Sequence, residues 1–191
     1  MPTSIDVENQ HFAFGDAWRL AFKYDDSALY RRGPERLKGE LEGHSQATRA
    51  VDVVALHQAE GLLLLEAKDC RGHEIANRTR IRSGGIALEV ALKVRDTVAG
   101  LLGAARNEPA NTMLLEVFNA LRQGQQLTVV LWLEDDAQRD PLMVKPQLQA
   151  LNAVLKKHLA WLNVKSLVLS SRVANRLRDL HVSNLPGAGQ T

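Results

Sequence analysis

The stretch Ala50-Val-Asp-Val-Val-Ala-Leu-His57, followed after a short turn by Gly61-Leu-Leu-Leu-Leu-Glu-Ala-Lys-Asp69, places charged groups within two strongly apolar runs. Each run has the length and the aliphatic content of a buried strand. A buried charge costs several kcal/mol unless it is paired or holds a metal ion. Asp52, Glu66 and Lys68 therefore predict a divalent-metal site with a lysine positioned beside it.

The turn between the two runs predicts which side chains share a face. A three-residue loop usually carries a left-handed residue at its third position, where glycine fits best, so residues 59–61 are the expected loop. This register pairs His57 with Leu63 and Asp52 with Lys68. Directly opposite residues, and their neighbours two positions along, point to one face of a sheet, so both acids and the lysine are expected together. A two-residue loop would move Glu66 and Lys68 to the other side.

These residues carry a family resemblance. Asp52, followed by Glu66-Ala67-Lys68 at the end of the next strand, resembles the PD-(D/E)xK nuclease superfamily, also called restriction-endonuclease-like. Val51 stands where the written motif has proline. The run Glu66-Ala-Lys-Asp-Cys-Arg-Gly72 is also similar to the Glu-x-Lys-Asn-x-x-Gly stretch of the nuclease-related domain, one branch of that superfamily. The motif resemblance covers residues 50–72, and the flanking elements are compatible with the same fold to about residue 180.

The resemblance implies a function and a set of site residues. It implies a metal-dependent nuclease in which Mg²⁺ or Mn²⁺ is held by Asp52, Glu66 and the backbone carbonyl of Ala67. Lys68 would orient the attacking water and stabilise charge on the phosphate, and its pKa decides whether it also accepts a proton. Many members add an acid from the first helix, for which Glu40 and Glu35 are the candidates, although either is also typical of a solvated helix face.

The elements around the hairpin predict an α/β fold with a mixed β-sheet flanked by helices, as in the restriction-endonuclease-like fold. We expect one domain over residues 1–191, with a flexible tail at 184–191. The expected elements are a strand at 16–24, a helix at 27–42, a polar arginine-rich connection at 69–84, helices at 86–106 and 112–122, a strand at 127–133, an acidic loop at 134–136, a helix at 146–162, a strand at 166–170 and a short basic helix at 172–180.

Several other polar residues have candidate roles. Glu89 and Lys93, four positions apart on the long helix, are interpreted as a surface ion pair, with a role in the active site as the alternative. Cys70 has no histidine partner that the sequence can place, which argues against a nucleophilic role. Phosphate contacts are predicted for four arginines that follow the second strand, namely Arg71, Arg78, Arg80 and Arg82.

Composition limits the possible partners and locations. The net charge is only +2, so bulk basicity does not indicate nucleic-acid binding. The chain has a single cysteine and no apolar run of membrane-spanning length, which favours a soluble, cytoplasmic protein without a membrane partner. The nuclease resemblance implies DNA as the substrate. No zinc spacing, helix-turn-helix pattern or aromatic stacking motif is evident, so we expect low sequence specificity, or specificity supplied by a homodimer or a partner subunit.

Interpretations without a catalytic site also remain open. Asp52 could be a strand-end residue, and Glu66 with Lys68 could form a solvent-facing salt bridge, since exposed pairs contribute little. The alternative function is a catalytically inactive nuclease-fold module that binds nucleic acid or a protein partner.

Overall fold

The computed structural model describes residues 2–35, 48–72, 74–135, 141–173 and 177–186. These residues form a mixed α/β structure with two sheets, and Glu40 lies outside them. The strands are β1 (Thr3–Val7), β2 (Gln10–Phe14), β3 (Trp18–Lys23), β4 (Val53–His57), β5 (Gly61–Asp69), β6 (Leu127–Glu134), β7 (Lys165–Leu169) and β8 (Leu180–Asn184). The helices are α1 (Ala28–Arg32), α2 (Glu74–Arg82), α3 (Gly85–Asn107), α4 (Thr112–Arg122) and α5 (Pro141–His158), and a 3₁₀ turn spans Ala160–Leu162.

The larger sheet has five strands in the order β3-β4-β5-β6-β7. β4 pairs antiparallel with both β3 and β5, whereas β5, β6 and β7 are parallel to one another. Parallel neighbours need a crossover, which α2, α3 and α4 supply between β5 and β6, and α5 supplies between β6 and β7. The hairpin β4–β5 therefore brings its two apolar runs to the middle of a mixed sheet.

The register of this hairpin differs by two residues from the sequence prediction. His57 pairs with Gly61, not with Leu63, and the loop comprises residues 58–60. The physical reason is the His57 side chain, whose Nδ1 accepts the backbone N–H groups of Ala59 at 3.1 Å and Glu60 at 3.0 Å. These bonds shift the loop by one residue towards the N-terminus, from the expected residues 59–61 to residues 58–60. A shift of two keeps the alternation of faces, so the expected common face of Asp52, Glu66 and Lys68 survives.

Gly61 is required by its backbone and by its neighbour. Its φ of 80° lies in the left-handed region. A Cβ added there would lie 2.2 Å from the carbonyl oxygen of Gln126, the same oxygen that accepts the N–H of Leu62 at 2.9 Å. Close approach of the first residues of β5 to the chain entering β6 therefore depends on glycine.

We expect Gly61→Ala to lower the free energy of unfolding by about 2 to 4 kcal/mol, because backbone strain and a steric clash act together. Urea denaturation followed by circular dichroism measures this. Gly124→Ala is the matched control, since Gly124 has a φ of 66° with nothing within 4 Å of the added Cβ. Its loss should be about 1 kcal/mol. Equal losses in the two variants would contradict a role for the Gln126 contact.

The two faces of the five-stranded sheet are covered differently. On one face Leu56 and Leu64 join an apolar core that contains Val94 of α3 and Leu155 of α5. On the other face Leu65 and its neighbours pack against the smaller sheet. This is antiparallel, with the order β1-β2-β8, and contributes buried side chains such as Phe12, Phe14 and Leu180.

The prediction of a sheet flanked by helices is thus correct for one face only in the described part of the chain. In the N-terminal strands buried apolar residues alternate with less buried ones, as in Ile5 and Val7 or Phe12 and Phe14, so the small sheet has one apolar side. That side covers the face which the prediction assigned to helices. The ring of Phe12 meets that of Trp132 edge-on, with centroids 5.9 Å apart.

Other elements also differ from the prediction. The connection at 69–84 contains α2. None of the described residues of the expected basic helix at 172–180 is helical, and its last residue begins β8. β8 extends to Asn184 and the N–H of Leu185 bonds to the carbonyl of Asn9, so the first two residues of the expected tail at 184–191 are hydrogen-bonded. Residues 187–191 of that tail lie outside the described residues. α5 begins at Pro141 and contains Pro146, and α1 ends at Arg32, before Gly33. No described helix has the length and apolarity needed to cross a membrane.

Candidate active site

The predicted site residues meet at one polar corner of the helix-covered face. Asp52 directly precedes β4, and Glu66 and Lys68 lie near the end of β5. Val53 pairs with Leu65, so extending the register by one residue places Asp52 opposite Glu66. Asp52 is 7% exposed and Glu66 is 1% exposed. Two carboxylates therefore face one another away from solvent.

The Asp52 carboxylate is fixed by the neighbouring strand. Its Oδ2 accepts the backbone N–H of Ala67 at 2.7 Å. Burial raises the pKa of Asp52, although the charges of Lys93 and Lys68 and the Ala67 hydrogen bond oppose the shift. The peptide at Ala67, whose carbonyl is the third metal ligand that the resemblance implies, thus lies beside both acids.

Glu66 has two ammonium partners on one of its oxygens. Its Oε1 lies 2.6 Å from Nζ of Lys93 and 3.1 Å from Nζ of Lys68. Its Oε2 is buried and has no hydrogen-bond partner among the described residues. Burial, reinforced by the charge of Asp52, raises the pKa of Glu66 to about 7 against the opposing effect of the two lysines. Glu66 therefore has one oxygen occupied and one available.

The interpretation of Glu89 and Lys93 as a surface pair is wrong. Both project from α3 towards the site, where Lys93 contacts Glu66 and Glu89 Oε1 lies 3.4 Å from Nζ of Lys68. Each directly precedes a buried valine of the apolar stripe, Val90 or Val94. That position at the edge of the stripe is the sequence signal that could have placed them against the sheet.

Lys68 is held between two carboxylates. Glu89, which binds it through Oε1, also accepts Arg80 Nη2 on Oε2 at 2.6 Å. Burial lowers the pKa of Lys68, but Glu66 and Glu89 outweigh this effect and raise it above its ordinary value. Despite burial, Lys68 and Arg80 hold the pKa of Glu89 below its ordinary value. In the metal-free arrangement Lys68 is therefore an ammonium at neutral pH.

The four predicted phosphate-binding arginines separate into two groups. Arg71 binds the Asp69 carboxylate through Nε at 2.8 Å and Nη2 at 2.6 Å, and Arg80 binds Glu89. Arg78 and Arg82 are exposed, form no ion pair with another described residue, and line a cavity of about 550 Å³ between α2 and α5. They are the members of the group best able to meet an external phosphate.

An acid that the sequence analysis did not select lies next to the site. Asp25 follows β3, and burial together with the charge of Asp52 raises its pKa. Its Oδ1 is buried without a hydrogen-bond partner among the described residues. It lines a cleft of about 430 Å³ with Tyr30, Glu89 and Lys93. Glu35, one of the predicted extra acids, forms no described hydrogen bond or ion pair with Asp52, Glu66 or Lys68.

Cys70 and Glu134 have structural surroundings. Cys70 is a free, buried thiol, and burial raises its pKa to about 11, which disfavours the thiolate that a nucleophile needs. Glu134, expected in an acidic loop, ends β6 and is 3% exposed. It accepts hydrogen bonds from Trp132 Nε1 at 2.9 Å and from the Ser171 N–H at 2.7 Å, and so joins the ends of β6 and β7.

The donor set at the corner fits a hard divalent cation. Asp52 and Glu66 supply carboxylate oxygens, the ligands that Mg²⁺ prefers, and the buried Oε2 of Glu66 has no other described partner. The described part of the chain contains no group of three histidine, cysteine, aspartate or glutamate side chains that could hold a metal ion. A cation bound here would therefore have two carboxylates and would complete its shell with backbone oxygen or water, as Mg²⁺ commonly does. Comparisons with protein-family models, with curated proteins and with solved structures gave no match.

Proposed function

We propose that this protein is a metal-dependent nuclease of the PD-(D/E)xK type, which hydrolyses phosphodiester bonds in DNA with Mg²⁺ or Mn²⁺. One observation carries the proposal. Asp52, Glu66 and Lys68, from one hairpin, lie together at a buried polar corner, and Glu66 keeps an oxygen without a described partner. A buried carboxylate oxygen without a hydrogen-bond partner, on an acid whose pKa is raised, is typical of a site built for a ligand.

The sheet topology supports a restriction-endonuclease-like fold. The resemblance implies a mixed sheet with the acid-bearing hairpin at its centre, and β4 and β5 occupy the middle of the order β3-β4-β5-β6-β7. The small sheet on the second face is a departure from the helices that we expected there. It lies opposite the face on which Glu66 and Lys68 project. Glu8, in the turn between β1 and β2, nevertheless accepts the Asp69 N–H at the end of β5, and its charge raises the pKa of Asp52 and Lys68.

Each residue has a distinct task in the proposed hydrolysis. A divalent cation bound at this corner would polarise the phosphodiester and lower the pKa of a bound water. Asp52 and Glu66 would hold that cation, with Asp52 kept in place by the Ala67 N–H. Lys68, fixed by Glu66 and Glu89, would orient the attacking water and stabilise the negative charge that develops on the phosphate.

The direct test is a cleavage assay with supercoiled plasmid and single-stranded DNA in Mg²⁺, Mn²⁺ or EDTA. We expect nicking or degradation with either metal and none with EDTA. The absence of hydrolysis on every DNA and RNA substrate would reject the enzyme and favour the second candidate below.

Nucleic-acid binding by α2 gives a separate prediction. If Arg78 and Arg82 contact phosphates, Arg78→Ala and Arg82→Ala should each lower the slope of log affinity against log salt by about one unit. Fluorescence anisotropy with a labelled duplex, in Ca²⁺ to prevent cleavage, measures the slope. Arg178→Ala is the control, because Arg178 is exposed beside Glu60 at the turn of the hairpin. Slopes unchanged in both α2 variants would assign these arginines to solvated surface.

A second candidate is a catalytically inactive module with the same fold that binds nucleic acid or a protein partner. The observation that favours it is the pairing of Glu66 Oε1 with two lysines at once. That pairing compensates the buried acid without any metal. The two candidates differ in what a divalent cation does at this corner, which is measurable without a cleavage assay.

A further inference from the structure

Lys93 makes the shorter of the two ion pairs of Glu66. Its Nζ lies 2.6 Å from Glu66 Oε1, compared with 3.1 Å for Lys68. The Lys93 side chain is 17% exposed and that of Glu66 is fully buried. Lys93 comes from α3, outside the motif that suggested the nuclease resemblance, so this contact calls for an explanation of its own.

The charges of Asp52, Glu66 and Glu89 are balanced without a metal ion, and Asp25 beside them forms no ion pair with another described residue. Asp52 and Glu66 are matched by Lys68 and Lys93, and Glu89 is matched by Arg80. A buried carboxylate is tolerated only when it is paired, so Lys93 helps Glu66 remain buried and ionised in the metal-free protein. A divalent cation that approached Glu66 would meet an ammonium already on its oxygen, and the two positive charges would repel each other.

The neighbouring cleft offers Lys93 a second partner. Asp25 lines the same cleft of about 430 Å³ as Lys93, and its buried Oδ1 has no hydrogen-bond partner among the described residues. The charge of Lys93 already acts on Asp25. A lysine side chain has enough rotatable bonds to exchange one carboxylate for another while its helix stays in place.

We propose that Lys93 is the resident counter-ion of Glu66, that a divalent cation displaces it towards Asp25, and that this exchange sets the metal affinity of the site. The inference rests on the two-carboxylate metal site of the proposed function. It makes Lys93 a positioning residue and not a catalytic one, because it acts on Glu66 and not on the substrate.

Removal of Lys93 should therefore strengthen metal binding. Lys93→Met keeps the length and apolar stem of the side chain and deletes the charge. We expect Mn²⁺ to bind it about tenfold or more tightly than wild type, since one positive charge beside a divalent cation is lost. The metal-free variant should melt several degrees lower than wild type, and saturating Mn²⁺ should recover more of its melting temperature. Lys156→Met, at an exposed position of α5, is the matched control and should change neither quantity.

A double-mutant cycle tests the role of Asp25. Asp25→Asn should weaken Mn²⁺ binding in the wild-type background, because the displaced ammonium loses its receiving carboxylate. In the Lys93→Met background the same change should have no effect. An equal weakening in both backgrounds would mean that Asp25 acts on the cation directly, which would overturn the exchange.

Isothermal titration of each variant with Mn²⁺ separates this inference from the nuclease proposal. Wild type that binds Mn²⁺, with tighter binding by Lys93→Met, supports the inference. Wild type that binds Mn²⁺, with equal or weaker binding by Lys93→Met, overturns the inference and leaves the nuclease proposal standing. If Lys93→Met binds Mn²⁺ and wild type does not, the result supports the counter-ion role but rejects metal-dependent activity in the wild type. If neither protein binds Mn²⁺, both the inference and the nuclease proposal are overturned. If Lys93→Met does not fold, Lys93→Gln takes its place with the same expectations.

Discussion

Replacement of Asp52 by asparagine should abolish metal-dependent cleavage while the protein remains folded. Asp52 is one of only two described carboxylates that meet at the proposed metal site, so its loss removes half of the charged ligands. A bound metal contributes several kcal/mol of transition-state stabilisation, and each 1.36 kcal/mol corresponds to about a tenfold change in rate. We therefore expect the rate of plasmid nicking in Mg²⁺ to fall about 10³-fold or more.

The fold should tolerate this change for a specific reason. The hydrogen bond that Asp52 Oδ2 accepts from the Ala67 N–H can also be accepted by the carbonyl oxygen of an asparagine side chain. The substitution also removes a buried negative charge, whose unfavourable burial is reflected in the raised pKa of Asp52. The free energy of unfolding should change by about 1 kcal/mol or less in the absence of metal.

The matched control is Asp6→Asn. Asp6 is an exposed residue of β1 that pairs with His11, on the sheet that covers the opposite face. It undergoes the same chemical change without touching the site, and its cleavage rate should equal that of wild type. An Asp52→Asn protein that nicks plasmid at the wild-type rate would reject Asp52 as a metal ligand.

The common face of the site residues could be predicted from the sequence, whereas the register of the hairpin could not. Alternation along a strand has a period of two, so any three-residue or five-residue connection keeps Asp52 and Glu66 on one side. The choice between loop positions depended on the His57 side chain, which binds two backbone N–H groups of the turn. Such a contact has no signature in the apolar pattern.

The small sheet shows where local patterns stop being informative. β8 has a sequence, Leu-His-Val-Ser-Asn, with little apolar content, and it becomes a strand through pairing with β2. Gln10 pairs with Asn184, at the far end of the chain. Strand formation of this kind is decided by a tertiary partner and not by intrinsic preference. The second layer of the fold was therefore beyond the reach of the sequence analysis.

The polar residues of α3 were misinterpreted for a related reason. Glu89 and Lys93 have the spacing of a surface ion pair. That spacing alone does not distinguish the exposed face of a helix from positions at the edge of its buried face. What decides their role is that α3 packs against a sheet whose corner already contains buried acids. Glu66 and Lys68 supply partners of opposite charge, so each α3 residue pairs with the sheet and not with the other.

Replacement of Lys68 by alanine should separate the enzyme from the inactive module. Lys68 is held by Glu66 at 3.1 Å and Glu89 at 3.4 Å, so it is already positioned before the substrate binds. In the nuclease, its removal deletes a preorganised positive charge from the transition state, which typically lowers the rate about 10²-fold to 10³-fold. Metal affinity should hold or rise, because Lys68 repels the cation that Asp52 and Glu66 attract.

The pH dependence of this loss provides a further check. The carboxylates of Glu66 and Glu89 raise the pKa of Lys68 above its ordinary value despite burial, whereas a bound divalent cation lowers it. A lysine that acts only as a cation stays protonated with the metal bound across the range of about pH 6 to 9. The ratio of wild-type to Lys68→Ala rates should then be constant over that range. A ratio that grows as the pH rises towards 9 would mean that Lys68 acts as a base, which contradicts the cationic role.

Two measurements on the same variant discriminate between the candidate functions, with exposed Lys156→Ala as the control. A nuclease loses cleavage rate in Lys68→Ala but keeps its Mn²⁺ affinity. An inactive module has no activity to lose, and the substitution weakens nucleic-acid binding by about one phosphate contact. In the metal-free protein Lys93 lies 2.6 Å from Glu66, so this acid keeps an ion-pair partner when Lys68 is removed, and a fall in rate can be assigned to the missing ammonium and not to collapse of the site. If wild type hydrolyses nothing and Lys68→Ala changes only binding, the ion-paired corner is that of a binding module.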